Sequence, residues 1–342
     1  RSTLFPYTTL FRSKNIKVHR RQRRSQKKIM EQIYQLRELI IVFYKRHERI
    51  LMPISKFFLA FFIFYRINHF LNYFKEISNP LIIFILSILS VIIPTQWWFL
   101  LLLFIIGTQL FFASLEAALL IVSLLLVIYL MYIRLFPKLS LLILAIPLCF
   151  YFKIPYVVPL FAGIFVGIHS IIPISIGVLI WYFSFEIPNL LEIQSGGDYL
   201  NIPDTLHRIY ITGVGDITHN GLFIVTVIIF SLIIITVYII SRMEIDYAWY
   251  VAIAVGGIMN IAGFMVAMLV MNIRMSIIGL FLSTIVSVLL VVLAQFFYRV
   301  VDYSRSEKVQ FEDDENYYYV KVVPKIMIER PKREIRRIIQ GK

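Results

Sequence analysis

Between Leu51 and Tyr298 the chain is a run of apolar segments, twenty-odd residues long or shorter, separated by thin polar punctuation. Segments of that kind predict helices that cross a bilayer, because in hydrocarbon only structures that close their own backbone hydrogen bonds are stable. Ten are predicted, near 51–68, 80–95, 97–115, 117–133, 138–152, 154–168, 169–185, 220–241, 247–271 and 275–298. The stretch 97–133 is too long for one crossing: at about 1.5 Å per residue it reaches roughly 55 Å, against a core of about 30 Å. It is read as two helices turning at Ser114-Leu115-Glu116. Segments 138–152 and 154–168 reach only roughly 22 Å each, so they form either two thinned spans or one re-entrant pair. The expected fold class is an all-α integral membrane protein, a bundle of about ten transmembrane helices with a short cytoplasmic tail.

Composition agrees with this pattern. Apolar residues make up 59% of the chain and charged residues 16%, against roughly 45–50% and 25% in soluble domains. The formal charge is +14. Thr3 to Ser13 corresponds codon by codon to a common sequencing-library adapter, so Arg1–Ser13 is set aside as an assembly scar. Without Arg1 and Arg12 the charge falls from +14 to +12. The expected organisation is then a basic arm with a juxtamembrane helix over 14–50 and a first helical half over 51–185. An acidic loop over 186–219, a three-helix second half over 220–298 and a tail over 299–342 follow.

Charge also predicts sidedness. Lys14, Lys17, Arg20, Arg21, Arg23, Arg24, Lys27 and Lys28 form a basic block without an acid among them. Beside a membrane domain such a block faces anionic lipid head groups rather than nucleic acid, and it sets the N-terminal side in the cytoplasm. With ten passes the tail is cytoplasmic too. The loop 186–219 then lies outside, with Arg208 its only basic residue against five acids. The first segment is the weakest span, since Lys56 and Arg66 sit within it and would have to snorkel. Cys149 is the only cysteine, so no intrachain disulfide forms.

The apolar segments offer little chemistry. Glu116 and His169 fall at expected turns, and Asn260 is the best mid-helix polar candidate, either for a solute or for an interhelical hydrogen bond. Small residues predict close helix packing: the Gly163/Gly167 pair, Ala252 with Gly256, and the stripe of Gly279, Ser283 and Ser287. Trp97, Trp98, Trp181 and Trp249 lie near expected segment ends, as interfacial aromatic belts do. Pro147, Pro155, Pro159 and Pro173 interleave with Gly163, Gly167 and Gly177. Such interruption marks broken helices at transport sites, or simply short helices ended by proline. Asp204 with His207, and Asp216 with His219, repeat a D-x-x-H spacing that on helices would present zinc ligands, although Gly213, Gly215 and Gly221 break the second. No nucleophile elbow, P-loop, HExxH or paired-carboxylate motif occurs, and no cofactor is expected.

After Tyr298 the character changes. Glu312, Asp313, Asp314 and Glu315 form an acidic cluster, and Tyr317, Tyr318 and Tyr319 open a β-prone run through Val323. Lys332 to Gln340 has the makings of a basic amphipathic turn or two. A β-prone strip beside acids suits strand addition to a soluble partner, and equally a tail lying on the bilayer. Val309-Gln-Phe-Glu-Asp-Asp-Glu315, the tyrosine run and Val323-Pro-Lys325 resemble the tail of an uncharacterised family of polytopic membrane proteins from clostridial bacteria (Firmicutes). Arg46-His-Glu-Arg-Ile-Leu-Met-Pro53 and Lys153-Ile-Pro-Tyr-Val-Val-Pro159 are similar to other stretches of that family, and the likeness spans about residues 40–325. The resemblance implies a bacterial cytoplasmic membrane and supplies no substrate, cofactor or catalytic residue. The D-x-x-H pair is foreign to its pattern. The function expected is a membrane-embedded scaffold or accessory subunit of an envelope complex, docking a soluble cytoplasmic or membrane protein partner through its tail. A small-solute transporter is the alternative, and an enzyme comes third.

Overall fold

The computed structural model describes residues 7–94, 97–195, 215, 220–273, 275–298, 307–313, 315–322 and 324. Side chains are described from residue 32 onward, except at 116, 186, 189–195 and 321. The chain folds as two units, residues 52–296 and residues 1–51 together with 297–342. Its ten described α-helices are α1 (Tyr7–Leu71), α2 (Pro80–Ile92), α3 (Trp98–Ala113), α4 (Leu115–Ile128), α5 (Ser140–Tyr151), α6 (Val157–Phe165), α7 (Ile171–Ser195), α8 (Gly221–Ser241), α9 (Ala248–Val270) and α10 (Ile277–Tyr298). One hairpin, β1 (Glu307–Glu312) and β2 (Tyr317–Val322), follows them.

Local signals set the breaks. Asn79 caps α2 through Leu81 N, with Pro80 at the first helical position, where a missing N–H costs nothing. Ser114 separates α3 from α4: its backbone is extended and its hydroxyl accepts from Ala117 N at 3.1 Å. Asn220 does the same for α8, accepting from Leu222 N and Phe223 N. Pro159 and Pro173 both fall in the first turn of their helices, so these prolines start helices rather than break them. Gly167 ends α6 at φ 94°, ψ −165°, a conformation essentially restricted to glycine.

Among the described residues, five helical stretches are long and apolar enough to cross a membrane: Gln32–Leu71, Ile168–Phe185, Gly221–Ser241, Ala248–Val270 and Ile277–Tyr298. Two of these differ from the sequence reading. No break separates arm from first span, since α1 runs through Pro53. On the far side, α7 continues past 185 to Ser195 with Pro188 inside it, so the first ten residues expected in the acidic loop are helical. The helices α2, α3 and α5 are apolar but shorter. A π-helical turn, Tyr129–Ile133, continues α4, and Ala117–Ile133 is again apolar but short.

In the 52–296 unit the main core gathers on α8, whose Ile229, Phe230, Ile233, Ile234 and Val237 are all buried. It packs against α6, α7 and α9. A second core lies among α3, α4, α5 and α7, and a third among α1, α2 and α3. Trp98 belongs to the third: it is 2% exposed and donates from Nε1 to Ser90 O at 2.7 Å, so it is not an interfacial belt residue. Trp181, mid-α7, stacks on Phe150 with centroids 5.2 Å apart.

Polar groups point inward. Gln109, fully buried on α3, accepts at Oε1 from Tyr73 N and Phe74 N (2.9 and 2.8 Å). Its Nε2 donates to Asn68 Oδ1 at 2.7 Å and Ser78 Oγ at 3.0 Å. One amide therefore satisfies the chain leaving α1, where the last helical residues give way to a loop. On α10 the buried face carries Thr284, Ser287 and Gln295, while Ile278, Leu282, Ile285, Leu289 and Leu293 are exposed. Apolar outside and polar inside is the arrangement a lipid solvent selects.

Replacing Gln109 by Leu removes the acceptor of two backbone N–H groups. It should lower the thermal unfolding midpoint of detergent-solubilised protein, by a loss of about 2 kcal/mol or more. An unchanged midpoint would show that the loop finds other acceptors.

Candidate functional site

The packing residues expected from sequence separate into two groups. Gly163 and Gly256 meet at one side chain. A β-carbon on Gly163 would stand 2.8 Å from Val237 Cγ1 and 3.2 Å from Ile234 O. One on Gly256 would stand 2.6 Å from both Val237 Cγ2 and Leu160 Cδ2. Gly177, on α7, lies as close to α5, with 2.8 Å to Ile143 O. Gly167 faces the Tyr238 ring. Gly279 is different: it is exposed, and its nearest neighbour is Ser276 at 3.4 Å. Ser287 is buried and Ser283 half-buried, each hydroxyl lacking a hydrogen-bond partner among the described residues.

Asn260 bridges α9 and α10, donating from Nδ2 to Thr284 Oγ1 at 2.8 Å, while its Oδ1 accepts nothing among the described residues. It therefore makes the interhelical hydrogen bond. Gln295, fully buried, has neither amide atom hydrogen-bonded among the described residues. The Pro/Gly-rich segment is core: Val158, Pro159, Leu160, Ala162 and Gly163 are all buried in α6. His169 is exposed in a single 3-10 turn, Ile168–Ser170. Glu116 sits in the first turn of α4. Asp204, His207, Asp216 and His219 lie outside the described residues. Among those described, no group of three or more His, Cys, Asp or Glu side chains comes together.

The tail holds the feature sequence reading only half saw. Its β-prone run is β2, and the partner strand is the chain's own β1, paired antiparallel with Val309 opposite Val320 and Phe311 opposite Tyr318. The acidic cluster is the loop between them, with Asp314 itself outside the described residues. Asp313 organises that loop. Its Oδ1 accepts from Glu315 N at 3.0 Å and Asn316 N at 2.7 Å, its Oδ2 from the Tyr318 hydroxyl at 2.9 Å, and its own N–H donates to Asn316 O. The hydrogen bonds from Glu315 N–H, the Tyr318 hydroxyl and Asn316 N–H hold this carboxyl below the usual aspartate range.

Alternation along the strands gives the hairpin two unlike faces. Val309, Phe311, Tyr318, Val320 and Val322 share one, with Glu307 at its end opposite Val322 and the Phe311 and Tyr318 rings stacked at 4.9 Å. Lys308, Gln310 and Glu312 with Tyr317 and Tyr319 make up the other. All of these residues are exposed. Two strands alone are marginal in water, so an apolar face left open on a pair calls for a covering surface.

No family model, curated protein or solved structure matches the chain.

Two outcomes follow from these contacts. Gly163→Ala and Gly177→Ala should each destabilise the detergent-solubilised protein by about 1–3 kcal/mol, because the new methyl meets the branch of Val237 at the first site and the Ile143 carbonyl at the second. Gly279→Ala should cost nothing, and equal losses at all three sites would refute this packing. For the loop, a carboxyl lowered on folding stabilises the folded form above its unfolded pKa, and that contribution disappears as pH falls through the folded value. The Glu315 and Asn316 amide resonances should therefore hold their folded positions at neutral pH and through the ordinary aspartate range, then collapse below it. In Asp313→Asn the same transition should be absent.

Proposed function

We propose that the chain is a polytopic membrane protein of scaffold type, a helical bundle in a bacterial cytoplasmic membrane that docks a partner protein through its C-terminal hairpin. The observation that carries this reading is the exposed apolar face of Val309, Phe311, Tyr318, Val320 and Val322, on a hairpin whose loop is pre-set by Asp313. An ordered, amphipathic pair with open strand edges can be covered on its face and extended along its edge by a folded partner. The likeness of the tail to that of a clostridial membrane protein family points the same way, since the tail is its most specific part. The transporter alternative drew on the Pro/Gly-broken segment, and α6 is packed as core.

Sidedness is part of the proposal. The helices α5 and α6, 12 and 9 residues long, extend about 18 and 14 Å, well short of the hydrocarbon core. We read them as one re-entrant pair. The other eight helices then cross, the shorter ones with local thinning, and both ends lie on the cytoplasmic side with the basic arm against anionic lipid.

Photo-crosslinking in intact cells tests the docking. A photoreactive residue at Phe311 should give one discrete protein adduct, and the same probe at Gln310, on the opposite face, should give little. Adducts to lipid alone from Phe311 would mean that the hairpin lies on the bilayer, and the scaffold reading would fail. Cysteines introduced at Ser25 and Ser304 in a Cys149→Ser background should both resist a membrane-impermeant maleimide until the cells are opened. Labelling of either in intact cells would overturn the topology.

A further inference from the structure

Within the 52–296 unit, a cleft of about 400 Å³ opens between α1, α3, α4, α5 and α7. That size falls in the range of preformed small-molecule pockets. The walls are hydrocarbon and aromatic, among them Phe62, Phe99, Leu125, Ile180 and Trp181. Against this lining stands one cation. Arg66 borders the cleft, its guanidinium carbon 4.0 Å above the centre of the Tyr151 ring. Its Nε is buried and has no hydrogen-bond partner among the described residues. No Asp or Glu lines the cleft among those residues. Ser184, the other polar neighbour, donates its hydroxyl to Trp181 O at 2.6 Å.

A guanidinium does not lose its proton in a protein and presents donors on a rigid fork. Tyr151 stacks under its flat face but accepts none of its in-plane N–H groups. A fixed positive charge with a buried, unmade donor, at the edge of an apolar space, is incomplete without an anion. A small hydrated anion would leave the hydrocarbon walls unfilled, and a neutral apolar molecule would leave the guanidinium unanswered. We propose that this cleft binds an anionic amphiphile, its carboxylate or phosphate head on Arg66 and its hydrocarbon chain among α1, α3, α4, α5 and α7. This site is built from the 52–296 unit alone, and its chemistry does not depend on the docking reading. The binding body would thereby sense or carry an acidic lipid of its own membrane.

Trp181 supplies the probe. The full chain in neutral-detergent micelles is titrated with a brominated octadecanoate, whose bromines quench nearby indole fluorescence. Quenching should saturate, and the saturable part should vanish in Trp181→Phe. Arg66→Gln should weaken it by about tenfold or more. Arg66→Lys should retain most of the affinity, and Lys56→Gln, which alters a cation of the same helix outside the cleft, should match wild type. Three ligands on the wild-type protein decide the matter even if Arg66→Gln does not fold. The brominated alcohol of the same length should bind far more weakly, inorganic phosphate should not displace the octadecanoate, and a long-chain alkyl phosphate should. Equal binding of the alcohol, or equal affinity in a folded Arg66→Gln, would overturn the proposal by showing a site that reads hydrocarbon alone. Displacement by inorganic phosphate at concentrations matching the amphiphile would overturn it too, leaving a plain anion site.

Discussion

The close approach of α6, α8 and α9 around Val237 is the contact on which the rest of the bundle depends. Both Gly163 and Gly256 lie against this one side chain, and Leu160 closes on Gly256 beside it. In the bilayer proposed for these helices there is no hydrophobic gain from bringing two apolar helices together, so the attraction has to come from dispersion at very short range. A missing β-carbon on each side of Val237 permits that range. The consequence is largest for α6, whose 9 residues are too few to be a stable helix alone. Wedged between α8 and the remainder of the core, it is stable because its neighbours fit. Gly167, in a backbone region open almost only to glycine, then turns the chain sharply into α7. Gly177 seats α7 against the α5 backbone in the same manner.

Polar groups in such a bundle have to be answered inside it. Gln109 is the complete case: two acceptor positions and two donor positions of one amide are used, and they serve the loop that leaves α1. Asn260 is a partial case, with its donor on Thr284 and its carbonyl oxygen unused among the described residues. Arg66 is the least answered, with an aromatic face beneath it and a buried Nε unbonded. Along that series the polar residue passes from fastening the fold to inviting something else. A buried donor left unbonded on a cation carries a cost, and the anionic ligand proposed for the cleft would offset it.

How much of this was legible beforehand follows from what a linear pattern can encode. The break at Ser114 was readable, because a capping residue in an apolar run too long for one span has few other meanings. Small residues at Gly163 and Gly256 were readable as sites of close packing. Their common partner was not: Val237 is one branched residue among many in α8, and only the fold shows that two glycines converge on it. Gln109 was missed, since one amide among apolar residues carries no local motif. Its role as a cap for another helix joins residues some 35 apart, which no local pattern conveys. Trp98 was misread because nearness to a segment end suggests an interface, whereas Ser90 O gives its indole a buried partner. The β2 strand was visible as a β-prone run. The β1 strand was hidden, because Glu307 and Glu312 bracket it with charge and the acids that follow look like a solvated cluster rather than a turn.

That turn bears on the docking proposed for the hairpin. A strand pair without a core of its own loses conformational entropy on docking, and that loss weakens any complex it forms. Asp313 reduces it in advance. By accepting two loop amides and a cross-strand hydroxyl, its carboxylate fixes the connection and the relative position of Tyr318. Tyr318 in turn stacks on Phe311, so the loop and the apolar face are ordered by one network. The acidic cluster and the tyrosine run, which sequence alone sets side by side as two motifs, are therefore one device. The acid holds the aromatic face ready, and the aromatic hydroxyl supplies one of the bonds that keeps the acid ionised.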